Sequence, residues 1–352
     1  MGPLAGLKII EIVGIGPGPF AGMLLADMGA EVIAVTRPKG VALGDLPKDA
    51  SFRGKTRHPL DLKSAEGRAA LLELAADADA LIEGNRPGVM ERLGLGPEEL
   101  AARNKRLVYG RMTGWGQEGP LAQAAGHDLN YAALAGAIHP LGAADAPPTP
   151  PLNLVADYGG GAMFLAFGVV CAMLEAQRSG QGQVVDAAMV DGASLMMTMF
   201  HSLRASGLWN EARGANFLDG GAHFYGCYRT KDDRFVTLGA IEPQFMMLFI
   251  QKAGLDPSWI SKHMDQSAWP ALKEEMAALF ATKTEAEWRE LLEGADVCFA
   301  PAPPFWEAHL HPHAQARGAF IEHDGMIQPA PAPRFSRTKP EVKGAKPVVA
   351  ND

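Results

Sequence analysis

The chain has 352 residues, of which 47% are hydrophobic and 20% charged, and its formal net charge is −8. That length and apolar content predict a globular protein of two lobes. The acidic balance excludes a nucleic-acid footprint, which needs a basic face.

Taken in order, residues 8–13 form a short β-rich run. Gly14-Ile15-Gly16-Pro17-Gly18-Pro19 follows, then a helical pattern over 20–28 closed by Gly29, then a strand over 31–35. A strand, a glycine loop, a helix and a second strand open a doubly wound α/β fold, a large Rossmann-like parallel sheet. Gly16-x-Gly18-x-x-Ala21 satisfies a loose dinucleotide fingerprint. Two prolines in that loop remove N–H groups that a pyrophosphate would use. Where an NAD enzyme usually carries an acidic residue, this chain has Thr36-Arg37. An arginine there suits a phosphorylated ribose, as in NADP or coenzyme A. Basic residues gather over 53–57, and Asp61-Leu62-Lys63 precedes a helix through residue 78. A strand over 79–83 ends in Asn85-Arg86-Pro87-Gly88, and a helix over 97–104 leads to a strand over 107–112. Arg37, Arg53, Lys63, Arg86 and Arg92 thus follow strand ends, where open α/β sheets bind ligands, and as a set they predict an anionic ligand.

Thr113 to Pro120 is a glycine-rich loop leading into Gly126-His127-Asp128-Leu129-Asn130-Tyr131. After an Ala- and Pro-rich loop over 143–151 comes Asn153-Leu154-Val155-Ala156-Asp157-Tyr158-Gly159-Gly160-Gly161. A helix is expected from about Gly160 to near Arg178. Its apolar run 162–174 is interrupted by Gly168 and is too short to cross a bilayer, so a buried helix and no membrane partner are expected. A strand over 183–187 and a helix bearing Met189, Met196, Met197 and Met199 follow. Methionines of this kind fill cores or form adaptable apolar walls.

After about residue 205 the alternation stops. The expected division is a large domain over 1–205, a linker over 206–222, a small α+β domain over 223–320 and a return segment over 321–352. Two strands around Thr230-Lys231-Asp232-Asp233 signal a hairpin, and Glu242-Pro243 ends the second strand and starts a helix. His309, His311 and His313 alternate as ligands on a strand would, yet a nearby proline and the lack of a fourth ligand predict no metal site. Three widely spaced cysteines, Cys171, Cys227 and Cys298, fit a reducing, cytoplasmic setting, and the first residues do not read as a signal peptide.

Two groups carry candidate chemistry. Histidine titrates nearest neutrality, and an aspartate at a helix N-terminus sits beside unpaired N–H groups. His127 and Asp157 could face each other across a substrate and move a proton. Taken singly, a histidine is also a satisfied polar group and an aspartate also a helix cap.

With these residues in view, the chain resembles the family III coenzyme A transferases, and within them the racemases of 2-methylacyl-CoA. The matching motifs are Pro3-Leu4-x-Gly6-Leu7-Lys8-Ile9-Ile10-Glu11, Asp61-Leu62-Lys63, Asn85-Arg86-Pro87-Gly88, Thr113-Gly114-Trp115-Gly116-Gln117, Gly126-His127-Asp128, Asp157-Tyr158-Gly159-Gly160-Gly161 and Gly239-Ala240-Ile241-Glu242-Pro243-Gln244-Phe245. They run in family order along nearly the whole chain. The resemblance implies an interlocked homodimer whose tail packs back on the large lobe. It implies coenzyme A on the large lobe, held at Arg37, Leu60, Leu62, Lys63, Arg86 and Arg92. The loop from Lys39 to Ala50 has no family match and could alter the entry to that site.

For the chemistry, the resemblance implies a 1,1-proton transfer through an enolate. His127, oriented by Glu242, serves one face of the α-carbon and Asp157 the other, with the Asp157 backbone N–H on the enolate oxygen. No cofactor is implied, since coenzyme A is part of the substrate. Transferases of the family use the matching aspartate as a nucleophile on the thioester, so Asp157 alone fits both chemistries, and His127 and Glu242 favour the racemase. An NADP oxidoreductase follows from the glycine loop alone, and a non-catalytic acyl-CoA binder is a further alternative.

Overall fold

The computed structural model describes residues 2–38 and 46–348. Most of the unmatched loop 39–50 therefore lies outside the described residues. The chain divides into two compact units. One comprises 1–137, 151–198 and 315–352, and the other 138–150 and 199–314.

The first unit is built on β1 (Lys8–Ile12), α1 (Pro17–Asp27), β2 (Glu31–Thr36), β3 (Lys55–Pro59), α2 (Ala65–Ala75), β4 (Ala80–Glu83), α3 (Val89–Arg92), α4 (Pro97–Arg103) and β5 (Val108–Thr113). Then come α5 (Asp128–Leu134), a π-helical stretch over Leu154–Ala162, α6 (Met163–Ser179), β6 (Val184–Ala188) and α7 (Met189–Met196). The sheet order is β3-β2-β1-β4-β5-β6, with every neighbouring pair parallel. Strands covered on both faces need continuous apolar runs, and Ile9 and Ile10 of β1 and Leu81 of β4 are fully buried. The proline-bearing loop is shorter than expected. Pro17 opens α1, where a missing N–H costs nothing because first-turn donors have no intrahelical partner.

β3 is a strand that the basic run concealed. It is the sheet's edge and each of its residues is at least partly exposed, a setting where charge is tolerated and discourages further pairing. The helix before β6 also differs from expectation. Leu154–Ser179 is 26 residues long and apolar enough to cross a membrane by length and composition, so the shortness argument does not hold. Its inner face packs against β5, β6, α1 and α7. Its outer face exposes Met163, Phe167 and Leu174.

The second unit contains α8 (Thr198–Ala205), β7 (Tyr225–Arg229), β8 (Phe235–Gly239), α9 (Pro243–Ala253), α10 (Trp269–Phe280), α11 (Glu285–Leu292) and β9 (Phe299–Pro301). β7 and β9 flank β8 antiparallel. The hairpin turn places Asp233 at φ 59°, a left-handed position that Asp tolerates better than most residues. The core is aromatic, with Phe224, Phe249, Phe280 and Trp288 fully buried. Trp288 donates its indole N–H to the Phe280 carbonyl at 2.9 Å.

α12 (Pro312–Ala316), β10 (Phe320–His323), β11 (Met326–Pro329) and β12 (Lys346–Pro347) complete the chain. From Gln315 on, this tail belongs to the first unit, and Arg53 holds it there. The Arg53 guanidinium donates to both carboxylate oxygens of Asp27 at 3.0 and 2.6 Å. Its remaining nitrogen donates to Gln328 Oε1 at 2.9 Å and the Pro329 carbonyl at 2.6 Å. Both charged side chains are almost fully buried, and removing one partner of such a pair typically costs ~3–5 kcal/mol.

Candidate active site

In an open parallel sheet of this strand order the crevice forms at the carboxyl ends of the strands where the order reverses. Here that point lies between β1 and β4. A cavity of about 690 Å³ opens there, lined by the loop after β1, Asn85-Arg86-Pro87 after β4, Thr113-Gly114-Trp115 after β5, and His127, Tyr131 and Asp157. The fold thus brings together two residues thirty positions apart in the sequence.

His127 caps the N-terminus of α5 with extended backbone, φ −136° and ψ 177°. Its backbone N–H donates to Asn130 Oδ1 at 3.0 Å. Tyr131, one turn on, donates its hydroxyl to the Gly126 carbonyl. The Tyr131 ring lies so close to Gly114 and Gly126 that a Cβ at either would fall within 2.1 and 2.6 Å of ring carbons. Trp115 meets the same ring edge-on at 4.7 Å. The imidazole itself is exposed, on a backbone that these contacts fix.

Asp157 sits inside the π-helical stretch rather than at the start of the long α-helix. Such wide turns recur at functional sites. The glycine run beside it has a packing cause. A Cβ on Gly160 would lie 2.5 Å from the Ala193 backbone nitrogen, so only glycine lets the stretch approach α7 this closely. Tyr158 stacks on Phe20 of α1 at 4.2 Å. Gly16, at φ +70°, leaves room for the carboxylate, since a Cβ there would lie 3.1 Å from Asp157 Oδ2. Burial pushes the Asp157 carboxyl above its ordinary value, and the nearby Asp128 charge adds to this. A hydrogen bond with the Asn153 side chain and the charge of His127 pull it back.

One expectation fails here. The Asp157 backbone N–H is not available to an enolate oxygen, because it donates to Asp128 Oδ2 at 2.7 Å. The Ala156 N–H donates to the same oxygen, also at 2.7 Å. A helix start is read from the sequence as a source of unpaired N–H groups, but a side chain 28 positions upstream has already claimed these.

The predicted anion-binding residues share the carboxyl edge of the sheet. Arg37 follows β2, Leu60 follows β3 with its N–H on the Thr36 carbonyl at 2.9 Å, and Leu62 and Lys63 come next. Arg86 follows β4 and lines the cavity. Arg92 ends α3, close enough that a Cβ on Gly88 would lie 3.1 Å from its Nη1. Arg37, Lys63, Arg86 and Arg92 are exposed. The fifth cation of the charge-based set, Arg53, is instead consumed by Asp27 and the tail.

Arg111 of β5 was not singled out from the sequence. It is buried, pairs with Glu91 and donates to Gln117 Oε1 at 2.7 Å. Its neighbour Glu83 accepts the Asn85 N–H at 2.6 Å, so Arg111 underpins the loops after β4 and β5, two of the three that line the cavity. Glu242 is the N-cap residue of α9 in the second unit, with Pro243 at the first helical position. Its exposed carboxylate makes no cap hydrogen bond, and its charge helps to raise the Cys298 thiol. The three alternating histidines are not on a strand. They span a 3-10 turn and the start of α12, and His311 pairs with Glu293 at 2.6 Å.

The family model for CoA-transferase family III matches residues 4–352. The chain belongs to this family. Among curated members of family III it is similar to the alpha-methylacyl-CoA racemase of Mus musculus, 44% identical over 97% of this chain and 89% of that one. It is likewise similar to the alpha-methylacyl-CoA racemase of Homo sapiens, 42% identical over 95% and 87%. The crystal structure of a CaiB/BaiF family protein from Brucella suis superposes with a TM-score of 0.81 at 26% identity, covering 99% of this chain and 96% of that one. The family III fold, with its Rossmann-like sheet and separate antiparallel region, is the one described above.

Proposed function

We propose that this family III protein is an isomerase that interconverts the 2R and 2S epimers of 2-methylacyl-CoA thioesters. The observation that carries the reading is the pair His127 and Asp157 on one cavity, together with two racemase-named relatives above 40% identity. The α-proton of a thioester is weakly acidic. One side chain removes it, the thioester carbonyl takes up the charge as an enolate, and the other side chain returns a proton to the opposite face. General acid–base catalysis of this kind contributes about 10²–10⁴-fold. A carboxyl lifted above its ordinary range is suited to both taking and giving a proton. The chemistry uses these side chains and needs no cofactor, because coenzyme A arrives as part of the substrate.

In this reading the cations at the carboxyl edge, Arg37, Lys63, Arg86 and Arg92, bind the phosphates of coenzyme A, with Leu60 and Leu62 beside the adenosine part. Glu242, supplied by a second copy of the chain, orients His127. The working form is an interlocked homodimer, which would cover the apolar outer face of the 154–179 helix. Met163, Phe167 and Leu174 on that face are all more than half exposed, and a row of large apolar side chains of this kind marks an interaction surface.

Incubation of one epimer of a 2-methylacyl-CoA in deuterated water tests the proposal. The expected result is α-deuterium incorporation with formation of both epimers and no requirement for an acid acceptor. Acyl exchange onto a free acid, with an Asp157 anhydride that hydroxylamine traps, would show the transferase chemistry instead.

A further inference from the structure

We infer that Asp128 is the positioning residue that couples the two members of the proton-transfer pair: its backbone carries His127 into the cavity, and its carboxylate holds the backbone of Asp157 with a negative charge beside it. The inference rests on the racemase reading of that pair.

Three observations converge. Asp128 is the residue next to His127 and the first of α5. It is only 3% exposed. Its Oδ2 accepts the N–H groups of both Ala156 and Asp157, each at 2.7 Å. One side chain thus ties the α5 terminus that carries His127 directly to the backbone of Asp157. The other oxygen, Oδ1, is buried and has no hydrogen-bond partner. No ion pair to Asp128 is found among the described residues.

A buried carboxylate without a cation is costly. If the only task were to satisfy two backbone N–H groups, a neutral acceptor such as an asparagine or serine oxygen would serve. The charge has a direction, however, and it falls on Asp157. A racemisation has an equilibrium constant near unity, so the acid of one direction is the base of the other. Transfer is efficient in both directions when the two groups bind the proton with comparable strength. An unperturbed aspartate holds a proton more weakly than an unperturbed histidine, by about 2.6 pH units. A fixed negative neighbour and burial both act to narrow that gap from the aspartate side.

Few other groups compete for this role. Asp157 is acted on by Asp128, Asn153 and His127, and Asp157 in turn acts on the Tyr131 hydroxyl. Charged groups on the elements packed around its helix are engaged elsewhere. Asp27 of α1 pairs with Arg53, Arg111 of β5 with Glu91, and Asp191 of α7 acts on Asp186. α1 and α7 present Gly16, Met189 and Met196 to this region instead.

The test uses the full-length protein with Asp128→Asn and Asp128→Ala. Asparagine keeps an acceptor oxygen and removes the charge, whereas alanine removes both. Carbon-13 NMR of the side-chain carboxyls, with Asp157→Asn to identify the signal, should show the Asp157 titration midpoint falling in Asp128→Asn. In deuterium exchange, Asp128→Ala should lose about 10- to 100-fold in kcat with little change in KM. Asp128→Asn should recover part of that loss while the acidic limb of its pH profile moves to lower pH. An Asp157 titration that does not move in Asp128→Asn would overturn the inference, as would a wild-type kcat in Asp128→Ala. If Asp128→Ala fails to fold, the asparagine variant decides alone. If the wild-type protein itself exchanges no α-proton, the racemase reading falls, and the titration still decides whether Asp128 and Asp157 are coupled.

Discussion

The carboxyl edge of the sheet has two halves that are built differently. Loops after β2, β3 and β4 carry Arg37, Lys63 and Arg86, and α3 ends in Arg92, all as exposed cations. Beyond β5, the α5 terminus and the π-helical stretch carry His127 and Asp157, fixed by Tyr131, Asp128, Gly160 and Gly16 through contacts that leave almost no free space. In the proposed reading the first half has to attract a mobile polyanion, and long-range charge does that without exact geometry. The second has to place two groups on opposite faces of one carbon, where an error near 1 Å can cost about a hundredfold in rate. The placement of the backbone, more than burial, separates the two halves: the exposed cations stand on open connections, whereas His127, itself exposed, and the half-buried Asp157 stand on backbones fixed by close contacts.

The comparison can be broken from either side. The largest effect is expected in the tight half. His127→Ala and Asp157→Ala should each lower epimerisation by about 10²–10⁴-fold, while calorimetry shows coenzyme A binding retained. Loss of binding in both would merge the two halves into one. Next is Gly16→Ala. Its φ of +70° disfavours any side chain, and the new methyl would press on Asp157 Oδ2 from 3.1 Å. A fall in kcat of about 10- to 100-fold with a native far-ultraviolet spectrum is the expected outcome, and an unchanged kcat would show that Asp157 is not tightly placed.

The pH dependence sharpens the same point. Asp157 must be unprotonated to act as a base, and its carboxyl is held above the ordinary aspartate value by burial and Asp128. The acidic limb of kcat/KM should therefore lie at higher pH than an unperturbed aspartate, about 3.9, would give, and activity should fall as pH drops through that limb. The smallest effects belong to the loose half. Lys63→Ala and Arg86→Ala should raise KM by about 2- to 10-fold, less at high salt, with kcat nearly unchanged.

How far the sequence revealed the fold follows from the range of each interaction. Alternating apolar runs and glycine loops gave β1, β2, β4, β5 and β6 in their order, because the pattern is local. β3 was hidden because an edge strand of Lys, Arg and His carries no apolar signal. The apolar run 162–174, interrupted by Gly168, understates the helix because the 154–161 stretch with its glycine run continues it upstream, where Gly160 serves a backbone contact with α7. At the site, His127 and Asp157 were legible as motif residues. Asp128 was legible only as the third letter of the same motif, since its partners are backbone N–H groups 28 and 29 positions away. Arg53 looks like a ligand cation in the sequence because nothing local shows that Asp27 and the tail surround it.

The central claim is that His127 and Asp157 act on opposite faces of one α-carbon. Washout of the α-proton from each separate epimer of a 2-methylacyl-CoA, measured in deuterated water with His127→Ala and with Asp157→Ala, tests it most directly. Each variant should retain measurable washout for one epimer only, without inversion, and the retained epimer should be opposite in the two variants. Retention of washout for both epimers by either variant would contradict the two-faced assignment.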